Sequence, residues 1–262
     1  MRTKRGMLHS AVSWLSTPVY TVTFFAILCV FHVFQRIGAL FGRRAQKWVL
    51  DRMNAAIVWN IRILTGASYR VIGKPCLPQG RSVILVSNHQ SMYDIPMIMW
   101  ICREREIGFI AKKELGRGIP SISYALRTLG SALIDRSDPQ ASIATIREFG
   151  ERKEADKQVA AIFPEGTRAR EGAMKRFKVT GFRALMGTMP SALIQPIAIR
   201  GNWELLRNNF LPLPFGTSIE VEFLPPIEPG SRDAEEVLGE AERLIRRSVE
   251  QPVAENVDPA AV

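Results

Sequence analysis

The sequence is short of the residues that build disulfide frameworks and metal centres. It has three cysteines and three histidines among 262 residues. The cysteines are widely spaced, odd in number and without a C-x-x-C pair: Cys29, Cys76 and Cys102. Two histidines, His9 and His32, lie near the N-terminus, so a metal site built on His89 would lack ligands. We therefore expect free thiols, a reducing compartment and no bound metal.

Other missing patterns argue against two classes of function. The G-x-S-x-G sequence of serine hydrolases is absent, and His89 is too near Ser91 in the chain to be its usual partner. The alternating basic and aromatic residues that bind nucleic acid are also absent. We expect neither a serine hydrolase nor a nucleic-acid partner.

Basic residues are in excess. Lysine and arginine number 35 against 25 acidic residues, for a net charge of +10 and a pI near 9.9. Such a balance favours an anionic partner, such as lipid headgroups or a phosphorylated substrate. Because 47% of the residues are hydrophobic, the chain can also bury a sizeable core.

The N-terminal segment is long and apolar. Residues 19–34 carry no formal charge, and residues 14–34 together reach the length of about 20 residues that a membrane span needs. No A-x-A cleavage site follows, which argues against a signal peptide. Cations flank both ends, so the positive-inside rule selects no orientation. This pattern suits a segment that enters one leaflet with both ends cytosolic.

A second N-terminal segment, residues 48–64, has apolar side chains at three- and four-residue steps. That spacing predicts an amphipathic helix. Its apolar face suits either a membrane surface or the globular core, and the sequence leaves both interpretations open. We assign residues 1–65 to N-terminal membrane-anchoring helices.

The pattern changes after this segment to short apolar runs separated by helical stretches or loops. The runs lie at residues 83–86, 107–110, 132–134, 159–163, 193–199 and 219–223. Helices are predicted at residues 143–153 and 234–249, and the second has one apolar face. This alternation predicts an α/β domain over residues 66–250, with helices covering a mixed central sheet. Residues 251–262 are predicted to be a flexible tail.

His89 and Asp94 follow the first of these runs, in the stretch NHQSMYDIP. Residues five apart do not share a helix face, so they can meet only if a helix begins between them. His89 would then act as a general base, with Asp94 holding its tautomer. The alternative is ordinary turn chemistry, in which Asp94 only caps the helix.

A second polar stretch, FPEGTR at residues 163–168, also follows an apolar run. Gly166 permits close backbone approach, and Arg168 offers a fork for phosphate oxygens. The alternative is a solvated turn in which Glu165 pairs with Arg168. Lys112 and Arg136 follow two further runs in the same way.

Taken together, these motifs resemble the glycerolipid acyltransferases, and most of all the bacterial 1-acylglycerol-3-phosphate acyltransferases. The four ordered motifs are His89-x4-Asp94, GSALIDR at residues 130–136, FPEGTR and IQPI at residues 194–197. The resemblance covers residues 80–200. IQPI matches the family's motif less well than the other three do, because Gln195 precedes the proline and an alanine, at position 198, follows the motif.

The resemblance implies a reaction and a role for each residue. His89 would be the general base and Asp94 its partner. The implied acceptor-binding residues are Lys112, Arg136, Glu165, Gly166, Thr167 and Arg168.

The same resemblance implies the substrates. The acyl group would pass from acyl-CoA or acyl-carrier protein to the sn-2 hydroxyl of 1-acylglycerol-3-phosphate, giving phosphatidic acid without a metal or a bound cofactor. The implied location is the cytoplasmic face of the inner membrane. Another lysolipid acceptor, such as a lyso-ornithine lipid, or a non-catalytic phospholipid-binding role remains as an alternative.

Overall fold

The computed structural model describes residues 4–251, and within that range seven strands form one sheet. The strands are β1 (Ser68–Ile72), β2 (Val83–Ser87), β3 (Ile107–Lys112), β4 (Ala132–Ile134), β5 (Val159–Ile162), β6 (Leu193–Arg200) and β7 (Ser218–Phe223). Their order across the sheet is β1-β7-β6-β2-β5-β3-β4. β6 and β7 run antiparallel, and the other neighbouring pairs are parallel. The predicted mixed α/β sheet is confirmed.

Six of these strands coincide with the predicted apolar runs, and β1 does not. Its sequence, SYRVI, mixes polar and apolar residues because it is an edge strand that is mostly not fully buried. The predicted tail lies outside the described residues, apart from Gln251.

Helices cover both faces of the sheet. In the described range they are α1 (Lys4–Leu40), α2 (Arg43–Thr65), α3 (Asp94–Ile101), α4 (Ile122–Thr128), α5 (Pro139–Ala155), α6 (Val179–Thr188) and α7 (Ala234–Val249). Short 3-10 turns follow β3 at Lys113–Gly116 and β6 at Asn202–Leu206. Helix starts are capped where the sequence supplies a carboxylate: Asp138 caps α5, and Asp233 caps α7.

The strand period of two divides the core between the two faces. In β2, Val83 and Leu85 pack with the side chains of α1, α2 and α3. Ile84 and Val86 point the other way and pack with α5, α6 and α7. All four side chains are buried, so β2 is a central strand covered on both sides.

The apolar face of α2 packs on the protein core. Leu50, Met53, Ile57 and Ile61 are each no more than 5% exposed and belong to the same cluster as the sheet. Of the two interpretations of residues 48–64, the apolar face therefore follows the one in which it packs on the globular core. The opposite face still presents Trp48, Trp59 and Ile63 to the outside.

Helix α1 has one face on the protein and one face exposed. It is 37 residues long, or about 55 Å, and residues Leu8–Leu40 are apolar enough to cross a membrane by length and composition. The inner face buries Tyr20, Phe24 and Leu28. The outer face exposes large apolar side chains: Leu15, Val19, Val22, Phe25, Val30, Val33, Ile37 and Leu40.

A buried hydrogen bond ties α1 to the start of α3. The Tyr20 hydroxyl donates to the Tyr93 hydroxyl at 2.6 Å, and Phe24 packs edge-on against the Tyr93 ring. Burial raises the pKa of Tyr93 to about 12, so the hydroxyl stays protonated. Tyr93 immediately precedes Asp94, and the apolar N-terminal helix therefore contacts the predicted catalytic motif directly.

Replacing Tyr20 by phenylalanine should test the strength of this link. The Tyr93 hydroxyl would stay buried without its partner, which typically costs about 1–3 kcal/mol in the free energy of unfolding. Urea denaturation of the full chain in detergent measures this loss. Thr21→Val is the control, because the exposed Thr21 hydroxyl contacts only the Thr17 carbonyl of its own helix. Equal destabilisation by both variants would contradict the link.

Candidate active site

The predicted site residues lie at one edge of the sheet. β2, β5, β3 and β4 are consecutive parallel neighbours, so their carboxyl ends meet at the same edge. His89 follows β2, the FPEGTR loop follows β5, Lys112 ends β3, and Arg136 follows β4. Four strands at about 4.8 Å spacing place these groups along a row of about 14 Å. Such an edge is where α/β proteins commonly bind their ligands.

The turn that carries His89 is held to the neighbouring strand. The Asn88 side-chain amide donates to the Ile199 carbonyl, and the Ile199 N–H donates to the Asn88 side-chain oxygen, both at 2.8 Å. The chain then turns, and α3 begins at Asp94. The helix therefore starts between His89 and Asp94, as the spacing of the two residues required.

His89 and Asp94 form the predicted pair. The His89 Nδ1 lies 2.7 Å from the Asp94 Oδ2. Asp94 is fully buried, whereas the His89 side chain is 17% exposed. Because an ionised carboxylate only accepts hydrogen bonds, Nδ1 carries the proton and Nε2 keeps its lone pair. Nε2 makes no hydrogen bond to any residue that the structure describes, so it is available as a base.

Asp94 also organises its surroundings. Its Oδ2 accepts hydrogen bonds from the backbone N–H of Gln90 at 2.7 Å and of Ser91 at 2.9 Å. Its Oδ1 accepts one from the side-chain amide of Asn202. The Asn202 N–H in turn donates to the Gln90 side-chain oxygen at 3.0 Å. The carboxylate is therefore fully hydrogen-bonded in a buried position, which a buried charge requires.

Asn202 is a site residue that the sequence analysis missed. It is 108 positions from Asp94, fully buried, and reached only because β6 pairs with β2. The one available signal was its place just after the carboxyl end of β6, at the same edge as His89.

The FPEGTR loop holds the backbone of His89. The His89 N–H donates to the Glu165 Oε1 at 2.8 Å, and the Ala169 N–H donates to the His89 carbonyl at 2.7 Å. The other oxygen of Glu165 accepts the Lys175 N–H at 3.0 Å. The Phe163 ring stacks on the imidazole at a centroid distance of 4.2 Å. Together these contacts fix the position and the plane of the His89 ring.

Glu165 is placed differently from the acceptor-binding role that the resemblance implies. It is 1% exposed, and both of its carboxylate oxygens already accept backbone N–H groups. Burial raises the pKa of this carboxyl, and the two N–H groups oppose that shift. It does not pair with Arg168, as the solvated-turn interpretation would require. The geometry favours a positioning role for Glu165.

The remaining predicted residues form a polar and cationic rim. Gly166 has a φ of +74°, which few other residues adopt easily. The Thr167 hydroxyl accepts a hydrogen bond from the Lys175 Nζ at 2.8 Å. Lys112, Arg136 and Arg168 are exposed and have no ion-pair partner among the described residues. Lys113, by contrast, is paired with Asp135. The three exposed cations are thus free to bind an anion.

Gln195 of the fourth motif is a core residue. Its side-chain amide donates to the Leu224 carbonyl at 2.7 Å and its oxygen accepts the Cys76 N–H at 3.0 Å. It is fully buried in β6. Among the described residues, no group of three or more His, Cys, Asp or Glu side chains is arranged to hold a metal ion.

Removing the Asn202 amide should lower turnover without removing the base. Asn202→Ala takes one hydrogen bond from a buried carboxylate, an interaction worth about 1.5–3 kcal/mol, and should reduce kcat roughly tenfold to hundredfold while changing KM little. Steady-state kinetics on the folded variant measure this. Gln140→Ala, which removes an exposed amide from α5, is the control. An unchanged kcat in Asn202→Ala would rule out a positioning role.

Comparisons with known proteins find similar sequences among acyltransferases. A protein-family model described as Acyltransferase matches residues 68–200. A 1-acyl-sn-glycerol-3-phosphate acyltransferase from Cocos nucifera is 30% identical over 218 residues, which cover 72% of this chain and 68% of that protein. One from Pseudomonas aeruginosa is 29% identical, covering 53% of this chain and 52% of that protein. The chain thus spans about two-thirds of the length of the first relative and about half of the second.

A solved structure extends the similarity to the fold. It is the 1-acyl-sn-glycerophosphate (LPA) acyltransferase PlsC from Thermotoga maritima, with a TM-score of 0.70 and 26% identity. The alignment covers 95% of this chain and 97% of that one. With so few residues left out, the shared region includes most of the N-terminal helices as well as the α/β domain.

Proposed function

The chain belongs to the acyltransferase family, and from this premise we propose that it acylates the sn-2 hydroxyl of 1-acylglycerol-3-phosphate to give phosphatidic acid. The observation that carries the proposal is the 2.7 Å contact between the His89 Nδ1 and the Asp94 Oδ2, with Nε2 left as a base. The acyl donor is a thioester, either acyl-CoA or acyl-carrier protein.

The chemistry requires one base and no covalent enzyme intermediate. The His89 Nε2 takes the proton of the acceptor hydroxyl as the oxygen attacks the thioester carbonyl. Asp94 stabilises the imidazolium that forms. The tetrahedral intermediate collapses, the carbon–sulfur bond breaks, and the thiolate leaves with the proton from His89. The products are the new ester and a free thiol. Ser91 is fully buried, which supports a direct transfer rather than an acyl-serine.

The cationic rim supports a phosphorylated acceptor. A phosphomonoester carries nearly two negative charges and suits a bidentate guanidinium. Arg168 lies on the loop that holds His89, so a phosphate bound there stays close to the base. Lys112 and Arg136, from the neighbouring strands, supply further positive charge. Gly166 leaves room for the backbone to approach the acceptor.

The outer face of α1 supports a membrane-bound site. The face exposes a continuous apolar stripe, while the inner face packs on the domain and reaches Tyr93 next to Asp94. We propose that α1 lies in one leaflet and that the enzyme works on the cytoplasmic face of the inner membrane. There the acceptor can enter from the lipid and the thioester from the cytosol. The outer face of α2, with Trp48 and Trp59, suits the headgroup region.

Replacing the base should abolish the reaction. His89→Ala should lower kcat roughly a hundredfold to ten-thousandfold, the usual contribution of a general base, with lysophosphatidic acid and acyl-CoA or acyl-carrier protein as substrates. Mass spectrometry of the lipid products measures phosphatidic acid. The control is His32→Asn. The His32 imidazole accepts a hydrogen bond from the Ser121 N–H, and neither residue belongs to the His89–Asp94 motif. Equal product from wild type and His89→Ala would refute the assignment.

Charges on the outer face of α1 should weaken membrane binding. Val22→Glu with Val33→Glu replaces two exposed valines by charged residues. Burial of each valine in lipid contributes about 1.5 kcal/mol to the free energy of membrane binding, and a charge in lipid is unfavourable. Vesicle partitioning should therefore fall at least roughly tenfold. Co-sedimentation with vesicles measures it. Gln140→Glu with Ala144→Glu makes the same charge change on exposed positions of α5. If both pairs have the same effect, net charge rather than α1 governs binding.

A further inference from the structure

Exposed large apolar side chains are confined to three places. Among the residues whose side chains the structure describes, they occur on α1 with its linker residue Phe41, on the outer face of α2, and at Phe210 and Leu211. The last two are 45% and 63% exposed. The rest of the α/β domain keeps its large apolar side chains at least partly covered. The pair at 210–211 therefore stands apart from the surface around it.

The loop that carries this pair, residues 207–215, is shaped to present it. Asn209 and Phe210 have φ values of 49° and 73°, in the left-handed region that a bulky aromatic residue rarely occupies. The Asn208 side chain donates to the Pro212 carbonyl at 3.0 Å across the base of the turn. Leu213 then returns to the core at 2% exposure. The strained residues thus lie at the tip, where the apolar side chains are exposed.

The loop is attached to the N-terminal half of α1. The Leu213 N–H donates to the Thr17 hydroxyl at 2.9 Å, and the Phe215 N–H donates to the Ser13 hydroxyl at 3.0 Å. The Phe215 ring also meets the His9 ring edge-on at 5.8 Å. Ser13 and Thr17 are buried, so the loop is anchored to the inner face of the helix whose opposite face presents the long apolar stripe.

The other end of the loop reaches the catalytic motif. The 3-10 turn Asn202–Leu206 precedes the loop directly, and its first residue donates a hydrogen bond to Asp94. β6 is parallel to β2, so the segment after Arg200 leaves the sheet at the edge where His89 lies. Residues 202–215 thus connect the carboxylate of the His–Asp pair to α1.

We propose that the loop at residues 207–215 is a membrane-inserting element, with Phe210 and Leu211 embedded in the interfacial region of the bilayer. The inference rests on the membrane association of α1 proposed above. A helix lying in one leaflet can still roll about its own axis. A second membrane contact, from a loop anchored to the helix, restricts this rotation and so sets the orientation of the edge that carries His89 over the lipid. Arg207, exposed at the start of the loop, suits the phosphate layer.

Two other occupants fit the observations less well. A second copy of the chain would have to bury about 800 Å² on each partner for a stable dimer, far more than two side chains supply. The acyl chain of a substrate would need a groove, whereas the two residues stand at the tip of a turn. The experiment treats both as separate outcomes.

Site-specific fluorescence on the full chain tests the insertion. Leu211→Cys, in a background with Cys29→Ser and Cys76→Ala, takes an NBD label at the loop tip, since Cys102 is buried. Gln140→Cys in the same background is the exposed control on α5. The Cys76→Ala chain, labelled at the exposed native Cys29, reports on α1. The probe is a vesicle of phosphatidylglycerol and phosphatidylethanolamine, with and without doxyl-labelled lipid.

Insertion predicts a blue shift and doxyl quenching at positions 29 and 211 but not at 140. A response at 29 without one at 211 overturns the loop proposal and leaves the membrane role of α1 standing. No response at either position in vesicle-bound protein overturns both. A blue shift at 211 without vesicles also overturns the proposal. If the shift grows with protein concentration, the tip is assigned to a dimer contact. If it grows with monomeric lysolipid, the tip is assigned to substrate binding.

A second variant measures how much the tip contributes. Phe210→Ser with Leu211→Ser should weaken vesicle partitioning roughly tenfold or more, because two exposed apolar side chains no longer enter the lipid. Phe210→Leu with Leu211→Phe keeps the apolar character and should bind as the wild type does. Equal binding of the serine variant and the wild type would refute the proposal even if the variant is well folded by circular dichroism.

Discussion

The candidate site depends on the buried carboxylate of Asp94. One oxygen accepts hydrogen bonds from the His89 imidazole and from the backbone of Gln90 and Ser91, and the other accepts the Asn202 amide. A charge buried this deeply is stable only when its oxygens are hydrogen-bonded. Removing any one donor therefore leaves the carboxylate short of a hydrogen bond and destabilises the turn. The same carboxylate therefore shapes the turn that precedes α3 and sets the tautomer of the proposed base.

A second carboxylate, Glu165, supports the same histidine through its backbone. It contacts the backbone of His89, while Phe163 two residues earlier stacks on the ring. Asp94 thus controls the orientation of the imidazole, and Glu165 controls the position of its backbone. Both are buried and already hydrogen-bonded, whereas the cations on the rim are exposed.

The N-terminal helices are part of the active-site architecture as well as a candidate membrane contact. α1 buries Tyr20 and Phe24 against Tyr93, and its hydroxyl-bearing residues Ser13 and Thr17 hold the loop that follows Asn202. Two routes therefore lead from the apolar helix to Asp94, one through α3 and one through the segment after β6. A change in the position of α1 would therefore shift the His–Asp pair through these packed, hydrogen-bonded elements.

The sequence by itself determined the local features. The apolar runs marked six of the seven strands, and they are continuous in β2 and β5 because these central strands are buried along their whole length. The H-x4-D spacing required a helix start between its two ends, and the excess of cations pointed to an anionic ligand. The edge strand β1 escaped notice because Ser68 and Arg70 interrupt its apolar residues.

The tertiary structure decided what depends on distant parts of the chain. Asn202 reaches Asp94 only through the pairing of β6 with β2. The carboxylate of Glu165 accepts the backbone N–H groups of His89 and Lys175, which are 76 and ten positions away in the chain, and only the folded loops bring these groups together. Whether the apolar face of α2 met lipid or protein likewise could not be read from its periodicity. Both surroundings satisfy the same amphipathic pattern, and only packing against the sheet distinguishes them.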